Sequence, residues 1–528
     1  MPFVDARRLP PGTALQADVC IAGAGPAGLS LALALARRGT RVLLLESGGF
    51  DAGPSVDELD TFENTGAPLG GMRLRDRRFG GTRWYGRIVP MDRIDFEGRP
   101  WARSAGWPLQ LTDIEPYYPE AARFLGLDRP EALARDRWRG KAAARALGGG
   151  GIVPSLHLIA RAKDLAARHR RAVETRPELT VVLHATVVGI DADDAGSGVT
   201  GLAVAASTGT AAFTARATAF VLACGGLENA RVMMWLSEAR PGILGASEST
   251  LGRCYINHPR AEGVGRLYLD RAHADFVSLY RHLVEHAYPA ARCTAQVAAA
   301  LDERTQREER LLNAAAFFYP ASEGRLADLR EPFEHLRRSL GRLQVRKGDL
   351  ARARRLAAEL PLLAGAAAAR ARRRPFRLDH LVMVDQLEQA ADDGSRLSLG
   401  RDRDSLGCAR LRVEWRVGVD TLRTHRRFHE RLAARIRDEG IGTLKSALLA
   451  DPEFVPQYED NAHPMGATRM SRGPHDGVVN EHGRVHALRN LYVAGSSVFP
   501  AGGQANPTLT IVALALRLAD HLRAHRPD

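Results

Sequence analysis

The chain has 528 residues, of which 45% are hydrophobic and 26% are charged. This length exceeds what one compact core usually holds, so it predicts two intimately connected domains of ordinary globular composition. No window reaches about 18 uninterrupted apolar residues, which excludes a transmembrane helix at the level of sequence. Residues 1–8 lack the apolar core of a signal peptide, and we therefore expect a cytoplasmic protein.

The formal net charge of +13 comes almost entirely from arginine. The densest basic stretch, residues 346–374, interleaves Arg with Ala and Leu at helical spacing and has few aromatic residues for base stacking. It is interpreted as a solvated helical face rather than a nucleic-acid site, with attraction to an acidic partner left open. The five cysteines show no Cys-x-x-Cys spacing, which argues against a zinc site or a disulfide framework.

The clearest local unit lies at residues 18–46, where a short apolar run, an apolar helix and a second apolar run follow one another. Gly23, Gly25 and Gly28 between the first run and the helix have the Gly-x-Gly-x-x-Gly spacing, and Glu46 lies at the tip of the second run. With a strand before it, a helix after it and an acidic residue at the end of the next strand, this spacing predicts a dinucleotide site.

Each residue of this site has a predicted purpose. Gly23 permits the tight turn, and Gly28 lets helix and strand pack closely. Gly25 lets the backbone approach a pyrophosphate, which the N-terminus of the helix attracts. Glu46 is predicted to accept hydrogen bonds from the adenosine ribose, which disfavours NADP because a 2′-phosphate would be repelled there.

The remaining elements are predicted from patterning. The middle of the chain, about 265–455, mixes strand-like runs with two Arg/Ala-rich helices and carries no motif with assignable chemistry. From residue 460 onward, a His-Pro-Met-Gly turn precedes a strand at 491–495 and a helix from Pro507. The other predicted elements are helices at 112–125, 155–172 and 228–236, and strands at 181–190, 200–206 and 211–223.

Four blocks of the sequence resemble the glucose–methanol–choline (GMC) oxidoreductases, nearest to the pyranose-oxidising and bacterial sugar- or alcohol-oxidising members. They are the N-terminal fingerprint, residues 78–86 (RFGGTRWYG), residues 221–231 (VLACGGLENAR) and the segment from His463 to the end. The last block includes the highly specific stretch 501–510 (AGGQANPTLT). A short Asn-His-Pro motif at residues 257–259 is similar to one that closes the family's FAD domain.

The resemblance implies an α/β plus α+β fold of the GMC/PHBH type. A Rossmann-like FAD-binding domain would be assembled from residues 1–100, 155–264 and 460–528. A substrate domain built on an antiparallel sheet would take residues 265–459 and cover the reactive face of the flavin. Residues 101–154 are expected to connect or cover the two.

The same resemblance implies FAD as the cofactor. Arg83 stands where pyranose oxidase, a GMC relative, has a flavin-linked histidine, so non-covalent FAD is predicted. Val187 or its neighbour Val188 is expected to contact the adenine through backbone atoms, and the glycines after Phe79 are expected to lie along the flavin. Besides the fingerprint and Glu46, the implied cofactor-binding residues are Gly80, Gly81, Thr82, Val187, Gly495, Ser496, Pro507 and Thr508.

Two residues are implied in catalysis. His463 matches the family's catalytic histidine, and its reference pKa of about 6.5 suits proton exchange near neutrality. Asn506 matches the second active-site position and would hydrogen-bond the substrate oxygen. Asn506 before Pro507 is also typical of a helix N-cap, and both purposes can coexist; the helix N-terminus at Thr508 would then face flavin N1 and O2. His258 is a weaker candidate, because a packed histidine fits equally well.

These residues predict an FAD-dependent oxidoreductase that takes a hydride from a carbinol carbon, with His463 as the base. The donor would be an alcohol, sugar, cyclitol or glycoside, and the acceptor O₂ or another compound. No metal, nucleic-acid partner or membrane segment is predicted. The alternatives are a GMC-like lyase with a redox-silent flavin, aminosugar-specific oxidation in a biosynthetic pathway, and a non-enzymatic flavoprotein. The substrate, the acceptor, the oligomeric state and the purpose of residues 346–374 stay open.

Overall fold

The fold is described from a computed structural model. It describes residues 2–50, 58–69, 78–81, 86–133, 147–161, 163–207, 212–288, 292–322, 329, 332, 336, 348–372 and 378–525.

The strands, numbered in chain order, are β1 (Phe3–Asp5), β2 (Ala14–Gln16), β3 (Val19–Ala22), β4 (Val42–Glu46), β5 (Glu63–Asn64), β6 (Arg87–Ile88), β7 (Ile152–Ile159), β8 (Leu179–Leu183), β9 (Ala185–Ala192), β10 (Val199–Ala206), β11 (Ala212–Arg216), β12 (Ala219–Leu222), β13 (Pro259–Leu269), β14 (His286–Tyr288), β15 (Cys293–Leu301), β16 (Ala314–Ser322), β17 (Leu378–Leu387), β18 (Arg396–Arg403), β19 (Ala409–Glu414), β20 (Gly442–Ser446), β21 (Glu459–Asp460) and β22 (Leu491–Val493).

The α-helices, numbered in the same way, are α1 (Pro26–Ala36), α2 (Leu111–Ile114), α3 (Tyr118–Phe124), α4 (Leu165–Glu174), α5 (Glu228–Ala239), α6 (Phe276–Leu283), α7 (Glu303–Glu308), α8 (Asp349–Ala358), α9 (Leu360–Ala371), α10 (Val419–Asp438), α11 (Ala447–Ala450) and α12 (Thr508–Ala524).

A parallel sheet of six strands, in the order β1-β8-β4-β3-β12-β22, organises the two ends of the chain. Every residue of β3, β4 and β12 is buried, as expected for strands that are covered on both faces and read as continuous apolar runs. Helix α1 follows β3 directly and packs against the C-terminal helix α12. The amino and carboxyl segments of the chain therefore share one core.

A second, antiparallel sheet has the order β20-β13-β17-β16-β15-β7-β6, with β14 added beside β15 and β21 beside β13. Helix α10 covers one face of it and contributes Phe428, Leu432 and Ile436 to a core that also contains Phe318 and Met383. The opposite face carries a separate small cluster, made of Ala298, Ala300, Ala315, Phe317 and Val384.

These two sheets confirm the predicted fold class, a Rossmann-like parallel sheet combined with an antiparallel sheet. Two smaller sheets complete the fold, β2-β11-β10-β9 and β18-β19-β5. Both β7 and β13 belong to the antiparallel sheet. The domain boundaries given above stay a prediction. In the part of the chain that the structure describes, no helix combines the length and apolarity needed to cross a membrane.

Three predicted elements were wrong. The helix predicted at 155–172 is β7 followed by α4, because β7 pairs with β15 along its whole length. The strand predicted at 181–190 is β8 and β9, divided at His184, whose φ is +58°. The strand predicted at 211–223 is β11 and β12, which lie in different sheets. Alternating apolar residues show that a segment is extended or buried, but not where the chain passes from one sheet to the next.

Candidate active site

The predicted nucleotide site lies at one edge of the parallel sheet. Gly23 follows β3, residues 223–226 follow β12 and Gly495 follows β22, so all three connections leave the carboxyl ends of neighbouring strands. Ligands of open parallel sheets bind in the crevice at this edge. The topology thus brings together residues more than four hundred positions apart in sequence.

The three fingerprint glycines differ in what surrounds them. A Cβ on Gly28 would lie 1.8 Å from the carbonyl oxygen of Gly23, and a Cβ on Gly23, whose φ is +103°, would lie 2.4 Å from the carbonyl oxygen of Ala223. These two glycines are required for packing. Gly25 is the N-cap of α1 without a side-chain cap, and a Cβ there would meet open space. The free space and the unpaired helix N–H groups beside it form a cradle for an anion.

Glu46 and the second glycine pair border this cradle. The buried Glu46 carboxylate accepts hydrogen bonds from the backbone N–H groups of Ala24 and Gly48, both at 2.9 Å. Gly80 donates its N–H to the carbonyl of Ala24 at 2.9 Å, and a Cβ on Gly81 would lie 3.1 Å from the Cα of Gly25. Glu46 therefore holds the turn beside the cradle.

The other predicted cofactor residues are placed as follows. Val187 is buried in β9, in register with Val204. Gly495 has a φ of +123°, and the hydroxyl of Ser496 donates to the carbonyl of Pro464 at 2.7 Å. Ser496 therefore ties the turn that carries His463 to the end of β22. Thr82, and Arg83 on which the prediction of non-covalent FAD rests, lie outside the described residues.

The two predicted catalytic residues are in contact. The amide nitrogen of Asn506 lies 3.1 Å from Nε2 of His463, and Nδ1 of His463 lies 2.8 Å from Nδ1 of His258. A fourth residue, Asn257, fixes both histidines, because its side-chain oxygen accepts from the backbone N–H of His258 at 2.9 Å and of His463 at 3.0 Å. The result is a row of side chains, Asn506–His463–His258. Asn257 fixes the backbone of its two histidines.

The electrostatics of this row keep it neutral. Burial, together with the charges of His258 and Arg87, lowers the pKa of His463 well below its ordinary value. Burial also lowers the pKa of His258 to about 4. Near neutral pH, His463 can then carry its one proton on Nδ1, donate it to His258 and leave Nε2 as an acceptor. Nε2 is the atom that faces Asn506.

The helix start corrects one prediction about Asn506. Pro507, not Asn506, is the N-cap of α12, since its carbonyl accepts the first helical hydrogen bond, from the N–H of Ile511 at 2.9 Å. The Asn506 amide is turned toward His463 instead, and its oxygen is buried without a hydrogen-bond partner among the described residues. Pro507 and Thr508 thus place the N-terminus of α12 directly behind the Asn506–His463 pair.

The loop before Asn506 is anchored by a buried charged network. Glu388 forms an ion pair with Arg99, in which both side chains are almost fully buried, and accepts from the N–H of Gly503 at 3.3 Å. Gly503, with a φ of +59°, leaves no room for a Cβ, which would lie 2.1 Å from Asp95. Burial, with the charges of Asp92 and Glu388, raises the pKa of Asp95 well above its ordinary value. The loop is therefore held rigidly against the antiparallel sheet.

Side chains of the antiparallel sheet form a polar wall next to the histidines. Arg87 donates to the side chain of Gln296 at 2.8 Å and to the hydroxyl of Tyr319 at 2.9 Å, and its guanidinium lies 4.2 Å from the ring centre of Phe317. A second guanidinium nitrogen of Arg87, Nη1, is buried and has no hydrogen-bond partner in the described ranges. Further along, Gln386 donates to the carbonyl of Gln504 at 2.5 Å.

Several of these residues were not predicted from the sequence. The short motif at 257–259 gave a signal for Asn257 and His258, and only His258 was considered, as a weaker candidate. Arg87 lies directly after the block at 78–86 but was not identified. Gln296 and Gln386 lie in the middle of the chain, where the sequence carries no motif. Spatial proximity alone reveals them.

Two families match this chain. Residues 18–234, which include the glycine fingerprint and Glu46, match the family described as FAD dependent oxidoreductase. Residues 392–515, which include His463 and Asn506, match the family described as GMC oxidoreductase. The chain thus carries a GMC oxidoreductase C-terminal domain together with an FAD-dependent oxidoreductase domain. FAD is the cofactor of this family, as predicted, and the open cradle at Gly25 with Glu46 beside it fits that dinucleotide.

Similar proteins include a dehydrogenase subunit and an oxidase. The large subunit of fructose dehydrogenase from Gluconobacter japonicus is 33% identical over 134 residues, which are 25% of this chain and 23% of that subunit. The 6'''-hydroxyparomomycin C oxidase of Streptomyces lividus is 42% identical over 72 residues, 13% of each chain. The aligned segments thus span about a quarter or less of these relatives.

Among solved structures, pyridoxine 4-oxidase from Mesorbium loti superimposes with a TM-score of 0.56. The two proteins are 17% identical, and the superposition covers 96% of this chain and 99% of the other chain. This likeness supports the fold over nearly the whole chain.

Proposed function

We propose that this protein oxidises a carbinol group of a sugar-like or other alcohol to the carbonyl, with His463 as the base and Asn506 as a hydrogen-bond partner of the substrate oxygen. The observation that carries the proposal is the contact of 3.1 Å between Nε2 of His463 and the amide of Asn506, next to the sheet edge that holds the FAD fingerprint. Bound FAD supplies the acceptor for the hydride that leaves the carbinol carbon.

His463 takes the hydroxyl proton at Nε2. The proton on its Nδ1 faces His258, so the resting tautomer leaves Nε2 unprotonated, and a substrate hydroxyl can replace the Asn506 amide there. Because the neutral form is the base, activity is present above the pKa of His463 and is lost as the pH falls through it. Burial and neighbouring charges lower this pKa, so the acid limb should lie below the ordinary histidine value of about 6.5.

Asn506 positions the substrate oxygen. Its NH₂ group, which lies 3.1 Å from Nε2 of His463, is the donor that would bind the substrate oxygen once the substrate hydroxyl has replaced it at Nε2. The nearby N-terminus of α12, at Thr508, adds partial positive charge on this side of the site. Gly25, Gly80, Gly81 and Glu46 would hold the pyrophosphate and ribose of FAD.

The polar wall favours a polyhydroxylated substrate. Gln296 accepts from Arg87 and orients its guanidinium, and Nη1 of Arg87, which has no hydrogen-bond partner among the described residues, suits a substrate hydroxyl. The relatives named fructose dehydrogenase and 6'''-hydroxyparomomycin C oxidase suggest sugars and aminosugars. We rank neutral sugars above aminosugars, because the Arg87 charge repels a protonated amine. The proposal also includes O₂ or another compound as the electron acceptor. It places the protein in the cytoplasm.

Anaerobic mixing of the FAD-loaded protein with a panel of sugars, cyclitols and simple alcohols tests the proposal. At least one compound should bleach the oxidised flavin band in the native protein and in His475→Ala, a control because His475 is exposed. His463→Ala should bind FAD but bleach far more slowly. Admission of air then shows whether O₂ accepts the electrons. Bleaching at the native rate in His463→Ala would contradict the assignment.

The alternative is a lyase whose flavin stays oxidised. It predicts that no member of the panel bleaches the flavin, while the protein cleaves a cyanohydrin or a related carbinol without a change in the flavin spectrum. The lowered pKa of His463 suits either reaction. The hydrogen-bonding wall around Arg87 favours oxidation of a polyol, since a small cyanohydrin has no further hydroxyls to occupy it.

A further inference from the structure

A second cluster of titratable side chains lies behind the active-site wall. Asp385 on β17 and two histidines of α10, His425 and His429, are all fully buried, and their ligand-type atoms lie within 4.8 Å of one another. Oδ2 of Asp385 lies 3.1 Å from Nε2 of His425 and 3.2 Å from Nε2 of His429. The proposed oxidation uses none of the three.

These atoms converge as a buried cluster in which Oδ2 of Asp385 lies at ion-pair distance from both Nε2 atoms. In spite of the short distances, both histidine Nε2 atoms and both Asp385 oxygens lack a partner with hydrogen-bonding geometry among the described residues. A buried carboxylate and two buried imidazoles left in this state would be costly. Their arrangement is explained if the three lone pairs point at a common centre rather than at one another.

The spacing fits a transition-metal ion. Bonds of about 2.0–2.1 Å to nitrogen and oxygen place neighbouring ligands of a four- to six-coordinate ion about 2.9–3.4 Å apart. The two Nε2–Oδ2 distances of 3.1 and 3.2 Å lie in this interval. His425 and His429 are four residues apart on one helix, so one face of α10 presents both rings, whose planes are 89° apart.

The remaining ring nitrogens are already held. Nδ1 of His425 lies 3.1 Å from the hydroxyl of Tyr458, and Nδ1 of His429 lies 2.7 Å from the hydroxyl of Ser446. Such outer hydrogen bonds fix the ring orientation and the tautomer of metal-binding histidines and leave Nε2 free for the ion. Two neutral imidazoles and one carboxylate are a donor set that Zn²⁺ and similar ions accept.

We propose that Asp385, His425 and His429 bind one divalent transition-metal ion of the Zn²⁺ class, which joins α10 to the antiparallel sheet. The site is closed to solvent, so the ion is structural. Gln386, the next residue on β17, contacts Gln504 on the active-site side, because successive strand residues face opposite sides of a sheet. The ion would therefore stabilise the wall that carries Gln386. The expectation of no metal rested on cysteine spacing and overlooked the His-x-x-x-His pair.

Metal content measured on untagged protein tests the proposal. The protein is produced in minimal medium with Zn²⁺, or with Co²⁺ in place of Zn²⁺, and passed through a chelator-containing column before elemental analysis. We expect about one ion per chain, as in other closed structural sites. The Co²⁺ form should show visible d–d bands beyond the flavin absorption. Native protein that retains under a tenth of an ion per chain from both media would overturn the proposal.

Three variants locate the ion. Asp385→Asn and His429→Gln keep side-chain size and should lower the metal content at least tenfold, remove the Co²⁺ bands and lower Tm. The exposed His475→Ala should keep the ion and is the matched histidine control. FAD content and circular dichroism of each variant show that it is folded. A native-like metal content in both Asp385→Asn and His429→Gln would equally overturn the assignment, whatever their activity.

Discussion

The nucleotide cradle and the polar wall are built by different means. The cradle is made of backbone: Gly25 leaves open space, and the helix start supplies N–H groups. The wall is made of side chains, in which Arg87, Gln296 and Gln386 come from three strands of the antiparallel sheet. A backbone cradle suits one cofactor and tolerates little change, whereas a wall of side chains can be altered without changing the fold.

The histidine row lies between these two regions and belongs to both. Asn257 and His258 precede β13 of the antiparallel sheet, whereas Asn506 precedes α12, which packs on α1 of the parallel sheet. Residues that join the two regions should therefore affect turnover most, those of the cradle should affect FAD retention, and those of the wall should affect substrate affinity. The following predictions test this division.

The largest effect is expected for His463→Ala. Loss of the base should lower kcat about a thousandfold, within the range found for general bases. FAD content should stay native, since the cradle is untouched. Steady-state kinetics with the best donor from the anaerobic screen measures the change. A loss of FAD together with the loss of turnover would instead assign His463 to the cradle. It would contradict the proposed division between residues for turnover and residues for FAD retention.

Asn506→Ala should lower kcat about a hundredfold, as for other single donors to a developing charge. Because Pro507 caps α12, the variant should cost less than about 0.5 kcal/mol of stability. An N-cap residue would cost about 1 kcal/mol instead. Denaturant unfolding and kinetics on the same sample distinguish a substrate-binding Asn506 from an N-cap Asn506. A large loss of stability with native turnover would assign Asn506 to the helix rather than to the substrate.

The cradle should respond differently at two neighbouring glycines. Gly28→Ala places a Cβ 1.8 Å from a backbone oxygen and should destabilise the apoprotein by about 1–3 kcal/mol. Gly25→Ala meets open space, so the apoprotein should keep its stability while FAD is retained less well. The two variants form a matched pair: thermal unfolding of each apoprotein measures stability, and FAD titration measures cofactor binding. Equal effects of the two substitutions on FAD retention and on stability would contradict the assignment of Gly25 to the cofactor and of Gly28 to packing.

This contrast also explains what the sequence could and could not predict. Gly23, Gly25, Gly28 and Glu46 lie within one βαβ unit, so their spacing is visible in the chain, and the structure places them around the start of α1 and the end of β4. His463 and Asn506 lie 43 positions apart, and only the family resemblance suggested that they meet.

The polar wall and the cluster of Asp385, His425 and His429 could not be predicted from the sequence. Arg87 meets Gln296 over a separation of 209 positions, through a pairing register that apolar alternation does not specify. The same limit caused the error at 211–223, where the alternation was real but the partner strands were unknown. Local chemistry is readable from spacing, whereas side chains on neighbouring strands become neighbours only after the sheet has formed.

Arg87→Gln should raise KM about tenfold, the cost of one lost charged hydrogen bond, and change kcat less. The Arg87 charge also contributes to lowering the pKa of His463. Its removal should therefore move the acid limb of kcat/KM to higher pH. A pH profile of the variant against native protein measures the shift. An unchanged KM for every donor in the panel would show that the wall does not bind substrate.

The smallest effect is expected in the pH dependence of stability. Burial lowers the pKa of His258 to about 4, whereas the pKa of a histidine in the unfolded chain is about 6.5. Between these values the unfolded chain binds more protons than the folded one, so stability should fall as the pH drops through this window and be fully present above it. His258→Gln removes one such group and should flatten the slope of unfolding free energy against pH, measured by denaturant titration. An identical slope in the variant would mean that His258 is not held neutral, and the tautomer that leaves Nε2 of His463 free to accept a proton would lose its support.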